Sequence, residues 1–158
     1  MRRKILPLST LDDVKSPIAA VLAMWRAARP ADGLLPASDA FRLGDLLLML
    51  DDAGWVGVKA LTPARFEFHA LDGMELRTSA DLLAVARHGG ALRDQARPVY
   101  DDYSAAAFMG VPLLHRLLDD DASENAPLER LILPFASDGV GVDGLLVCAA
   151  ARNPATVH

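Results

Sequence analysis

Apolar positions recur at helical spacing early in this chain and at strand spacing later. Ile18, Val21, Leu22, Trp25 and Ala28 form one stripe, as expected for a helix with a single buried side. Ser16-Pro17 supplies a cap and a proline for its first turn, and Pro30 and Gly33 close it. The stripe suits packing on the chain's own sheet or on a second copy, and the pattern does not separate the two. LLPASDAFRLGDLLLML predicts a second helix over about residues 40–50, capped by Ser38 or Asp39. Gly44 weakens it by about 1 kcal/mol relative to Ala. WVGVKAL (55–61) and ARFEFHAL (64–71) predict two strands separated by Thr62-Pro63. In the second, Phe66, Phe68 and Ala70 face one way and Arg65, Glu67 and His69 the other. His69 is therefore expected on the solvated side, beside an opposite charge.

After the Asp72-Gly73 turn, residues 74–76 suggest a brief strand. A helix follows from Thr78 or Ser79 through Arg87, stopped by His88-Gly89-Gly90. Pro98 is expected to open another helix over YDDYSAAAFM, which Gly110 ends. VPLLHRLL is a third strand, DDDASEN a hairpin loop, and LERLILPFASDGVGVDGLLV holds two more strands around Ser137-Asp138-Gly139. The last three strands make an antiparallel meander, with the first two added at one edge. The prediction is one α+β domain over residues 16–151, with tails at 1–15 and 152–158.

Composition narrows the function. At 52% hydrophobic and 158 residues the chain can build a real core. Its apolar runs fall far short of the roughly 20 residues of a membrane span. MRRKILPLSTLDD has no long apolar segment of the secretory kind, so a cytoplasmic protein is expected. The net charge of -5 argues against nucleic acid as a partner. Arg2-Arg3-Lys4, the one basic cluster, reads as a loose N-terminus. Cys148 stands alone within LLVCAA and reads as a small buried hydrophobe.

Chemistry is sparse. His69, His88, His115 and His158 form no close ligand pair, and the sequence contains no GxSxG and no Walker loop. DDDASEN lacks the spacing and central glycine of a calcium loop. A non-enzymatic protein is expected, with no catalytic or metal residues and no cofactor that can be named. His115 alternates with Leu113 and Leu117, which directs it inward.

Certain words resemble a PAS-like domain family, mostly alphaproteobacterial and largely uncharacterised. They are Trp25 in the opening helix, Leu35-Pro36 with the following Ala-Ser-Asp, and the closing run from Glu129 to Phe135 with Ser137-Asp138-Gly139 and Val142-Asp143. Coverage runs from about residue 18 to residue 150. The family's basic residue after Leu-Pro is absent, with Ser38 near that place, and Phe41-Arg42-Leu43-Gly44 replaces its Asp-Pro segment. The resemblance implies an antiparallel sheet of about five strands with helices on one face and a flanking N-terminal helix. It also implies a sensory or regulatory role, with a small molecule held between sheet and helices or a protein partner engaged. Phe66, Phe68, Tyr100, Tyr103 and His115 are the candidate ligand residues, and Ile18, Val21, Leu22 and Trp25 the candidate dimer interface. The alternative is an interaction or structural module with a filled core.

Overall fold

The computed structural model describes residues 2–70, 91–118 and 128–151. The elements are β1 (Arg2–Leu6), α1 (Pro17–Ala28), β2 (Asp52–Thr62), β3 (Arg65–Ala70), α2 (Ala91–Met109), β4 (Leu113–Leu118), β5 (Leu128–Phe135) and β6 (Gly144–Ala151). The strands form one open antiparallel sheet of six, in the order β1-β4-β5-β6-β2-β3. The expected meander is β4-β5-β6, and β2-β3 joins it at one edge.

The central strands explain the layering. LERLILPF and GLLVCAAA are almost continuously buried, so both faces of the sheet need cover. Leu131, Leu133 and Phe135 face the core that holds Ile18, Val21, Leu22 and Trp25 of α1. Ile132, between them in sequence, faces Tyr103, Ala106 and Ala107 of α2. The two helices thus lie on opposite faces, and the flanking helix packs in cis. Ser16 caps it as expected, its Oγ accepting from the Ala19 amide at 3.1 Å.

The words that carry the resemblance meet in space. Trp25 Nε1–H donates to the Pro134 carbonyl at 2.8 Å. The Leu35 amide donates to the Gly139 carbonyl at 2.9 Å, and the Ala136 amide to the Pro36 carbonyl at 3.0 Å. Pro134 is tolerated in a central strand because β4 reaches β5 only as far as Leu113↔Ile132, so no ladder bond toward β4 is lost there. Ser137-Asp138-Gly139 is a connector. Asp138 Oδ1 accepts from the Val140 and Gly141 amides at 2.9 and 2.8 Å, bonds that hold its carboxyl below the usual range. Gly139 takes φ +84°, where a side chain is strained.

Several expectations change. The sheet has six strands rather than about five, because Arg2–Leu6 is an edge strand and not part of a loose tail. Of this strand Leu6 enters the core, joined by Leu11 of the turn that follows, and one inward residue makes too sparse a pattern to mark a strand. Residues 40–50 form no α-helix. Two 3-10 turns, Ser38–Ala40 and Gly44–Met49, stand there. Gly44 sits at φ +59°, which breaks a right-handed helix, and the unbroken LLLML run has no single apolar side. The helix expected from Pro98 begins at Ala91 and runs through the proline. A proline costs a helix one hydrogen bond; the packing of Tyr103, Ala106 and Ala107 on the sheet outweighs it. The expected strand at 74–76, the helix at 79–87, His88, DDDASEN and the 152–158 tail lie outside the described residues.

Candidate functional site

The α2-covered face has an aromatic half and a charged half. On β3, Phe66 and Phe68 point at α2 and are buried. Phe68 meets Tyr100 and Tyr103 edge-on, at centroid distances of 5.4 and 5.5 Å. Tyr103 is fully buried, whereas Tyr100 is 40% exposed, and its hydroxyl donates to the Phe66 carbonyl at 2.6 Å. Glu67 and His69 take the opposite, exposed side, with His69 Nε2 3.1 Å from a Glu67 oxygen, as expected.

The charged half was not foreseen. Register places Ile5, His115 and Arg130 in one row across β1, β4 and β5. Arg3, two residues before Ile5, shares their face. Asp102, one turn along α2 from Ala106, comes down onto this group. Arg130 Nη2 donates to Asp102 Oδ2 at 2.5 Å, and Arg3 Nε lies 2.8 Å from both carboxylate oxygens. His115 Nε2 stands 3.6 Å from Asp102 Oδ1, and its Nδ1 is 3.3 Å from Arg130 Nη2. Asp102, His115 and Arg130 are each less than 5% exposed. One carboxylate from the helix therefore ties three strands' cations and imidazole together.

The electrostatics follow from burial. Desolvation, then the Arg130 charge, pulls the His115 pKa down to about 4 against the opposing pull of Asp102, and Arg3 adds to the lowering. The ring is neutral at pH 7. A guanidinium only donates, so Nδ1 accepts and the proton is assigned to Nε2, facing the carboxylate. Arg130 Nε is buried without a hydrogen-bond partner, which costs about 1–3 kcal/mol. Such an atom calls for an explanation.

A test of this cluster uses pH. The folded pKa lies below the unfolded value near 6.5, so the unfolded chain binds more protons between about pH 4 and 6.5. Stability from neutral His115 is complete above that window and is lost as pH falls through it, by about 3 kcal/mol. The charged groups facing the ring are Asp102, Arg130 and Arg3; Asp52, buried on the same face, is two strands or roughly 10 Å from Arg130. Urea unfolding at pH 4.5 and 7 should show a larger loss for the native chain than for His115→Gln. Equal losses would remove His115 from the account.

Other candidates fall elsewhere. Ile18, Val21, Leu22 and Trp25 are at most 4% exposed, occupied by the chain's own sheet. An open groove of about 650 Å³ lies between the start of α1 and the Gly44–Met49 turn, lined by Leu11, Val14, Leu22, Met49 and Arg26 among others. Cys148 is buried, with its thiol pushed up to about 12 by desolvation and by Asp52. Among the described residues no group of acidic, histidine or cysteine side chains could hold a metal ion, and no helix is long and apolar enough to cross a membrane.

The sequence named Phe66, Phe68, Tyr100, Tyr103 and His115, of which the structure gathers the four aromatics in one half and sets His115 in the other; it did not name Arg3, Asp102 or the role of Arg130. For Arg130 the signal was parity. His115 read inward next to Arg116, while Arg130 alternates with Ile132 and so shares the α2 face. Compared with known proteins, the chain matches no family model, no curated protein and no solved structure.

Proposed function

We propose that the chain is a non-catalytic PAS-like sensory or regulatory module whose responsive part is α2 on its face of the sheet. The observation that carries this reading is the mode of attachment of α2. Aromatic packing holds the helix on β3, and a buried ion cluster holds it on β1, β4 and β5. Disturbing such a contact is costly, because a buried charge that loses its partner costs several kcal/mol. A small molecule in this layer alters how α2 sits, and the altered helix is read by a partner.

The open antiparallel sheet supports the reading in kind, although it has six strands and carries α1 and α2 on opposite faces. Trp25, Leu35-Pro36 and the closing run touch one another, which supports one shared structural motif. The non-catalytic part rests on what the polar groups do. Asp102 is engaged by both arginines, and Cys148 is held as a thiol. Native mass spectrometry of gently purified protein should retain a small molecule, and its release should lower amide protection in α2. Ligand-free protein in repeated preparations, with α2 exchange unmoved by a metabolite panel, would sink the reading. The full burial of Tyr103, Val56 and Leu145 favours a second reading, a filled-core module that binds only protein. Capture of a defined partner by ligand-free chain would select it.

A further inference from the structure

We propose that the Arg3 end of the ion cluster is an anion subsite, taking the carboxylate of a small organic acid with an apolar body. The inference rests on the ligand-binding reading and names its ligand class. Among the described residues two guanidiniums face one carboxylate, with His115 uncharged, which leaves one positive charge, matching a single carboxylate. Arg3 is tethered through Nε, while its terminal nitrogens have no protein hydrogen bond among the described residues. The side chain is 33% exposed, so part of it is reachable from solvent. A guanidinium fork recognises a carboxylate by paired donors, and this one is held in place beforehand. Behind it Arg130 keeps Nε unsatisfied in a buried setting, a second donor in the same positive field.

The apolar body follows from what adjoins the fork. Ile5 shares the Arg3 face on the same edge strand and is 68% exposed. Past His115 and Arg130, that face is closed by Ile132 packed under Tyr103 of α2, both fully buried, so Ile5 is the apolar surface within reach of the fork. A fully polar anion would leave Ile5 in water, whereas an alkyl or aryl acid covers it.

The test compares benzoate with benzamide, its uncharged counterpart, on the full chain at constant ionic strength. Benzoate should bind saturably in the millimolar range and at least tenfold more tightly than benzamide. The Nε–H resonances of Arg3 and Arg130 should shift with benzoate. Arg3→Gln should weaken benzoate at least tenfold while the helix content is kept. The resonance shifts are read on unaltered protein, so a poorly folded variant leaves the test standing. Equal binding of benzoate and benzamide would overturn the subsite yet leave small-molecule binding in place. Benzoate binding without movement of either arginine resonance, or unchanged in Arg3→Gln, would also overturn it. So would an equal response to inorganic phosphate, or no binding of benzoate. In that last case the mass-spectrometric retention of a ligand still judges the broader reading by itself.

Discussion

Asp102→Asn should destabilise the chain by about 3–5 kcal/mol, the range for breaking a buried ion pair from one side. The substitution keeps the shape of the side chain, so packing is nearly conserved. It removes the negative charge and leaves Arg130, 3% exposed, facing Arg3 and His115. Most of the effect belongs to Arg130, because Arg3 is a third exposed and water screens its share. Pairing Asp102→Leu with Arg130→Met should recover much of the loss, since apolar replacement of both partners removes the charge burial. Equilibrium unfolding in urea measures both. A loss below about 1 kcal/mol for Asp102→Asn would mean that the cluster does not anchor α2.

Trp25→Ala should cost about 3–5 kcal/mol, as for other large-to-small changes in a core. Trp25 is 4% exposed and fills space between α1 and β5, where Leu131, Leu133 and Phe135 present their side chains. Its indole N–H also satisfies the Pro134 carbonyl at 2.8 Å. Trp25→Phe separates the two contributions. It keeps much of the ring volume and loses the bond, so about 1–3 kcal/mol is expected. Thermal or urea unfolding of both variants checks the order, and equal losses would show that the hydrogen bond, rather than the volume, dominates.

The contrast between these residues shows what was legible beforehand. Trp25 lies in a stripe of period near four with Ile18, Val21 and Leu22, and a stripe of that kind announces a buried side. It does not say which surface buries it, and only the doubly covered sheet placed it in cis. Phe66 and Phe68 alternate with Arg65, Glu67 and His69, so their face could be assigned at once. Asp102 could not be read in this way. It stands in YDDYSAAA beside Asp101, which is exposed, and charge alone does not distinguish the two. Its burial depends on Arg130 and Arg3 being brought beneath it by strands remote in sequence. Arg3 was obscured in turn because a basic opening run normally marks a solvated end. Long-range pairing of opposite charges leaves no periodic trace.

The edge strand has a consequence for how the molecule comes into being. Arg2–Leu6 is synthesised before every other described element, yet its ladder partner is β4, and Arg3 must wait 99 residues for Asp102. The β5–β6 pair, by contrast, closes across a short connector. Non-local contacts form slowly because their chain entropy is lost before any contact offsets it. On the ribosome the order of making and the order of seating should therefore run opposite ways. The segment born first docks among the last, and a nascent chain halted before β4 emerges carries its leading strand without a ladder partner.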